Sequence, residues 1–574
     1  MKTTILRRFV AAFTTAGLLL VAAPALSPAQ AATACDLGAT CEGALTGSLG
    51  STAFKIQMPA KFNGTVLLWN HGYRISTPIP AALAVPLGLA SSASYQKISF
   101  PAFASTFGTD VAYVGAGTAD VAQNASIANA LLAQGYALSG VGYARQGWAS
   151  AEAVQADELL IRHINSGAVK GVKKIVVWGE SFGGFVSAAT AEKNPGKVSG
   201  LLPTCGVLAG PEAAMANAMT VLFTWKSLIA PKLKVANYGS YAEALTDLAT
   251  VLQTLGGVAA GQLSVSPQGF PIAQANLLGG LRAGEPTVSS VYDGVTVNPA
   301  FATLGTAAAL AGGFQPASAG ASSAAAMLQN VGAAAALGIM VRYDLEQRAR
   351  LLAGITADQS ANITDNVRVS YTKLLTDEQR GEFGDTLNAT TVIANPLNTM
   401  LANLDASRGD ATVRFRANPA AIKAIRALPS PKGVYTMPTV LLADTYDPVV
   451  PVGNSGWYAS RLAASAKKQG VTALMGQYYT VPPADGWTKF APDAKGPDAA
   501  ASAAGATSGV GHCNWTVGGG VQVVNAVTAL NRIMNRMSVK GVKSANSLMW
   551  STVGVNGDGL YEPPALPRPL LTVK

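Results

Sequence analysis

From about residue 52 of this 574-residue chain, short apolar runs alternate with stretches whose apolar positions recur at helical spacing. The run TVLLWNHGY (65–73) is β-branched and aromatic, closes in a polar turn, and predicts a buried strand. VAYVGAG (111–117) is a shorter candidate, and YALSGVGYAR (136–145) is another strand. In SAEAVQADELLIRHINSG (150–167), Ala153, Leu160 and Ile164 fall on one helical face, with Ser150 suited to cap the start. The strand KKIVVWG (173–179) follows, then an alanine-rich helical segment after Ser181, then a strand in VSGLLPTCG (198–206).

The rhythm breaks at about residue 210. From there to about 430 the chain is rich in Ala, Gly and Leu, and long helical patches dominate. Strand and helix signals resume with YTMPTVLLADTYDPVVP (435–451) and GQYYTV (476–481). Alternation of this kind predicts an α/β fold, with a mostly parallel sheet flanked by helices. Because the sheet pattern returns, residues 210–430 read as a helical cap inserted between two parts of one core, 32–209 and 431–574, and not as a separate downstream domain.

Residues 1–31 stand apart from this pattern. Lys2, Arg7 and Arg8 precede an apolar run, and Ala29-Gln30-Ala31 supplies small residues at a cleavage position, as in a secretory signal peptide. The Arg7-Arg8 pair leaves both the general and the twin-arginine export routes open, and Cys35 lacks the preceding Leu of a lipoprotein signal. Removing residues 1–31 takes away three positive charges and no acids, so the net charge of +10 becomes +7. That charge is spread along the chain without dense basic runs, which argues against a nucleic-acid partner. No later segment is long and apolar enough for stable membrane insertion. Four cysteines allow three full pairings. Export favours disulfides over free thiols, and the short spacing suggests Cys35–Cys41 as a local staple, leaving Cys205–Cys513 across a long loop.

The chemistry centres on WGESFGG (178–184), where a strand meets a helix through a glycine-rich turn. Gly179, Gly183 and Gly184 permit the strained turn that exposes a nucleophilic serine, Ser181. A serine hydroxyl needs a base within reach, and the base needs an acid to fix its tautomer. The chain holds three histidines. His163 lies in the amphipathic helix and reads as structural. His71, in NHGY, marks a turn whose backbone matters more than its ring. His512, in GHCNWT after the last strand signal, is the candidate base. Asp444 and Asp447 both end a strand, and Asp447, beyond the strand in the loop opened by Pro448, is the better candidate acid. The backbone N–H groups of Phe182 and Tyr73 are the candidate oxyanion hole. Scattered histidines and paired cysteines leave few ligands for a metal, and the glycines of GYALSGVGYARQG lack a dinucleotide-binding spacing, so neither metal nor cofactor is expected.

On LLAQGYALSGVGYARQGWA, WGESFGG, GLLPTCGVLAG, DPVVP and GHCNWT, taken in that order, the chain resembles the secreted α/β-hydrolases common in actinobacteria. The resemblance implies the α/β-hydrolase fold, a triad of Ser181, Asp447 and His512, and no cofactor; it does not specify a substrate. The His512-Cys513 pair is also similar to the tannase and feruloyl-esterase group, in which a disulfide ties residues beside the serine and the histidine. Here Glu180, not cysteine, precedes Ser181, so Cys205 at the end of the next strand is the partner available to Cys513.

These readings lead to a secreted serine esterase acting on a small-molecule or polymeric ester. The rival is an exopeptidase or amidase on the same fold, for which Asp344, Glu346, Asp377 and Glu378 are candidates to hold a substrate amino group. A hydrolase fold used only for binding fits less well, since each triad position is filled. Oligomeric state is not legible.

Overall fold

The computed structural model describes residues 33–85, 93–228, 230–259, 290–292, 295–297, 324–374, 396–444, 447, 449–480, 512–513 and 521–536. Residues 1–31, Asp377 and Glu378 therefore lie outside the described residues.

Eight strands form the central sheet: β1 (Thr40–Gly47), β2 (Gly50–Gln57), β3 (Thr65–Asn70), β4 (Ala137–Val141), β5 (Lys174–Glu180), β6 (Gly200–Thr204), β7 (Thr439–Asp444) and β8 (Met475–Thr480). They are ordered β1-β2-β4-β3-β5-β6-β7-β8. β1 and β2 form an antiparallel hairpin and β2 meets β4 antiparallel, whereas β4 through β8 run parallel. This is the α/β-hydrolase fold. The expected strand at 111–117 forms as Val111–Gly115, but it pairs with Tyr95–Ser99 and Ile79–Pro80 in a separate three-stranded sheet.

The parallel strands are apolar on both faces because both faces are covered. Val66, Leu68, Ile175, Val177, Leu201 and Leu441 point to one side. There they meet α2 (Ser150–His163), α3 (Phe182–Lys193) and α9 (Gly453–Lys468). The alternate positions Leu67, Trp69, Val176, Trp178, Leu202 and Leu442 face α1 (Ala125–Ala133) and α10 (Val521–Arg536). Each large side chain buried this way stabilises the sheet by roughly 1.5–3 kcal/mol. Asn124 caps α1 by accepting from the Ile127 N–H. Ser150, expected as the cap of α2, is instead its first helical residue, with Ala149 in the cap position and the Ser150 hydroxyl buried without a partner among the described residues. The His163 ring at the far end packs on Phe54, with centroids 4.7 Å apart.

Between β6 and β7, which are neighbours in the sheet, the chain makes α4 (Gly210–Leu228), α5 (Tyr241–Ala259), α6 (Ala324–Ala353), α7 (Pro396–Ala406) and α8 (Pro419–Arg426), with two short antiparallel strands at Ser290–Tyr292 and Val295–Val297. α6 binds this region to the core through Asp344. Its carboxylate accepts from Arg145 Nη2 at 2.7 Å and from the Trp148 N–H at 2.5 Å. A Cβ at Gly147, which has φ +82°, would lie 2.7 Å from that carboxylate, so the loop after β4 admits the clamp only as glycine. Within the helical region, fully buried Arg342 donates to Asn362 Oδ1, Thr364 Oγ1 and the Met215 carbonyl, and it pairs with Glu346 at 3.6 Å.

Candidate active site

In open sheets of this kind the crevice lies beyond the carboxyl ends of the strands, where the strand order reverses. Ser181 stands there, between the end of β5 and the start of α3. Its backbone is left-handed in φ (55°), an unfavourable conformation for a residue with a Cβ. Neighbours hold it in place: its N–H donates to the Thr204 carbonyl at 2.9 Å, and its carbonyl accepts from Phe185 and Val207. Close packing explains the glycines around it. A Cβ at Gly183 would collide with the Asn70 and His71 carbonyl oxygens, and one at Gly184 would lie 2.9 Å from Gly206 Cα.

The turn after β3 backs directly on the serine. A Cβ at Gly72 would lie 3.5 Å from Ser181 Cβ, so His71-Gly72-Tyr73 forms the opposite wall. Phe182 is the first residue of α3, and its N–H therefore has no acceptor within the helix. The two predicted oxyanion donors thus belong to segments that meet at Ser181. The His71 ring stacks on Tyr143 at 3.9 Å, and its Nδ1 lies 2.7 Å from the Gly72 carbonyl. Burial, aided by Arg74, lowers its pKa well below the ordinary histidine value, so the ring is neutral.

A polar network beneath this wall was not apparent in the sequence. Tyr143 donates to Asn70 Oδ1 and the His71 carbonyl, both at 3.2 Å. Asn70 Nδ2 and Thr190 Oγ1 donate to Asp157 Oδ2 at 2.9 and 2.6 Å. The network links β3, the His71-Gly72-Tyr73 turn, α2 and α3, and so couples the helix that follows Ser181 to the wall it faces.

His512 and Asp447 meet beyond the carboxyl ends of β6 and β7. His512 Nδ1 lies 2.6 Å from Asp447 Oδ2. The Val449 and Val450 N–H groups, each at 2.8 Å, fix Asp447 Oδ1, so the acid is oriented before the histidine contacts it. Burial is the largest influence on His512 and opposes its charge, but the charge and hydrogen bond of Asp447, together with Glu180 and Asp444, outweigh it, and the pKa rises above the ordinary value. With Nδ1 engaged by a carboxylate, the Nδ1–H tautomer is favoured and Nε2 is left as the basic nitrogen.

Both disulfides anticipated from the spacing are present. Cys35–Cys41 has a Cα–Cα distance of 5.9 Å and Cys205–Cys513 one of 5.6 Å. The second bond joins the residue beside His512 to the end of the strand next to the serine, and Gln123 Nε2 adds a hydrogen bond to the Cys513 carbonyl at 2.9 Å. Cys205, Cys513, Asp447 and His512 bring their donor atoms within 4.8 Å of one another, a spacing a metal ion could use. The sulfurs are bonded to each other, however, and a disulfide offers no thiolate.

Of the four candidate carboxylates for an amino group, the two among the described residues, Asp344 and Glu346, have other partners. Glu346 accepts from the Asn237 and Tyr238 N–H groups at 2.9 and 2.7 Å, and Asp344 is the clamp to Arg145 and Trp148.

No protein-family model matches the chain, and no curated protein matches it. Among solved structures, an arylesterase is similar at 18% identity and a TM-score of 0.18, over 31% of this chain and 49% of that one, so this chain spans about half its length. An esterase from Pyrobaculum calidifontis is similar at 11% identity and a TM-score of 0.30, covering 88% of this chain and 87% of that one. A rice cell wall degrading esterase from Xanthomonas oryzae is similar at 13% identity and a TM-score of 0.28, covering 77% and 82%. Likeness this distant is weaker than the sheet order itself, and the fold assignment rests on that order.

Proposed function

We propose that the protein is a serine hydrolase that cleaves carboxylic esters through an acyl-enzyme. Ser181 Oγ attacks the ester carbonyl while His512 Nε2 takes its proton, and the Asp447 carboxylate stabilises the imidazolium. The Phe182 and Tyr73 N–H groups receive the oxyanion of the tetrahedral intermediate. Its collapse expels the alcohol, protonated by His512. Water, activated by the same ring, then attacks the acyl group and releases the acid and free Ser181.

The observation that carries this reading is the 2.6 Å contact between His512 and an Asp447 already oriented by two backbone N–H groups. It is supported by the strained backbone of Ser181, of the kind that clusters at functional sites. Residues 210–430 act as a cap that shapes the acyl pocket and excludes water. Ester hydrolysis is preferred to exopeptidase action because Asp344 and Glu346 are spent on structural hydrogen bonds. Two disulfides favour an exported, oxidised location.

The test is a paired assay on purified protein, comparing p-nitrophenyl esters of increasing acyl length with aminoacyl p-nitroanilides beside a Ser181→Ala control. Ester turnover that exceeds anilide turnover and vanishes in the variant is expected. Faster anilide turnover overturns the esterase reading, and activity surviving in Ser181→Ala removes the mechanism.

A further inference from the structure

Glu180 fills the second position of the G-x-S-x-G turn, directly before Ser181. It ends β5, and its Cγ lies 3.7 Å from where a Cβ of Gly72 would stand, so its side chain is confined between the nucleophile and the oxyanion turn. Its Oε2 is buried and has no hydrogen-bond partner among the described residues. A carboxylate oxygen withdrawn from water without a donor is costly, and folds tolerate it where a counter-charge arrives.

Among the described residues, two cations act on Glu180, Arg74 and His512. Arg74 is committed elsewhere, with Nη1 donating to the Ala116 and Thr118 carbonyls at 2.8 Å and Nη2 paired with Asp120. The other is His512, which is cationic only after it has taken a proton. We propose that Glu180 is a positioning carboxylate that acts through His512, a second acid that, together with Asp447, favours the imidazolium formed as Ser181 is deprotonated. This rests on the serine hydrolase reading. Stabilisation present only when the ring is charged acts on the transition state more than on the resting site.

The electrostatics of the cluster agree. Burial pushes the Glu180 carboxyl up to about 7, against the pull of His512 and Arg74 and with the repulsion of Asp120. The groups facing His512 are Asp447 and Asp444 from β7 and its following loop and Glu180 from β5, and the three acids raise its pKa against burial. Glu180 and His512 therefore titrate as a coupled pair. The sign follows: an anion at Glu180 makes His512 a stronger base, so removing it lowers the pH at which the ring becomes neutral and competent.

The experiment is the pH dependence of kcat/KM for Glu180→Gln beside wild type, together with NMR titration of the histidine rings. The three histidines give few signals, and His512 is assigned by the signal lost in His512→Gln. In Glu180→Gln the His512 midpoint and the acid limb of kcat/KM should both fall by about one pH unit. The plateau of kcat/KM should drop about tenfold. A His512 midpoint unmoved by the substitution overturns the proposal, even if activity falls, since a merely structural role would change stability and rate without moving that titration. Glu180→Ala, which removes the charge without adding an amide, is the second variant if Glu180→Gln does not fold, with the same two outcomes. The NMR titration needs no turnover, so it judges Glu180 independently of the Ser181→Ala control that judges the hydrolase reading.

Discussion

Asp157 offers the sharpest test of the network that supports the site. The residue is wholly enclosed; its Oδ2 accepts from Asn70 and Thr190, while its Oδ1 has no partner among the described residues. Burial pushes its carboxyl from 3.8 up to about 7, partly offset by those two hydrogen bonds and reinforced by Glu158. A carboxyl whose pKa is raised by folding carries no penalty below its unfolded value, and the penalty grows as pH rises towards the folded value. The window therefore runs from about pH 4 to about pH 7. A shift of about 3 units corresponds to at most about 4 kcal/mol of lost stability above that window.

The perturbation is Asp157→Asn. An amide keeps an oxygen to accept from Asn70 and Thr190 and gives the Oδ1 position a donor group, but it cannot ionise. At pH 4 the variant should be within about 1 kcal/mol of wild type. By pH 8 it should be the more stable protein, by up to about 4 kcal/mol. Asp157→Ala behaves differently: it strands two buried donors at every pH, costing about 1–3 kcal/mol for each. The assay is the melting temperature of the three proteins from pH 4 to pH 8, plotted as the difference from wild type. A difference for Asp157→Asn that is flat with pH, or that becomes more destabilising as pH rises, refutes the assignment of a carboxyl protonated near neutrality.

Two further predictions concern the site itself. In Asp447→Asn the amide oxygen still accepts from Val449 and Val450, but its NH2 cannot accept from His512 Nδ1, so kcat should fall by about 10⁴ with little change in melting temperature; a loss below tenfold, read in an ester assay, would remove Asp447 from the triad. Replacing Cys205 and Cys513 together by Ser opens a link 308 residues apart in sequence, worth on the order of 5 kcal/mol in the chain-entropy model and often less. It also frees the His512 segment, so kcat should fall by about 10²-fold, and dithiothreitol should mimic this in wild type but leave the double variant unaffected; unchanged kcat in reduced, folded protein would show that the bond does not position His512.

How far the sequence reveals this arrangement depends on whether a residue's surroundings are local. The parallel strands are legible because burial on both faces leaves unbroken apolar runs such as Val66–Trp69 and Ile175–Trp178. The β1–β2 hairpin is not, since most of β1 faces solvent and its TCEGALTG carries neither an apolar run nor a clean alternation. Ser181, Asp447 and His512 become candidates from local signals: a glycine turn, a loop after a strand, and a histidine among three. The residues that hold and tune them do not. Asn70 and Asp157 are 87 positions apart, Tyr143 and His71 are 72 apart, and no periodicity links them before the sheet brings β3, α2 and α3 together. Glu180 is the extreme case. It lies within the most readable motif of the chain, yet its slot tolerates many residues, and its proposed role depends on a carboxylate oxygen without a donor among the described residues and on a histidine whose neighbour Cys513 is held by a disulfide. A motif identifies the atom that reacts; the charge that decides when it reacts is set by burial, which only the assembled fold contains.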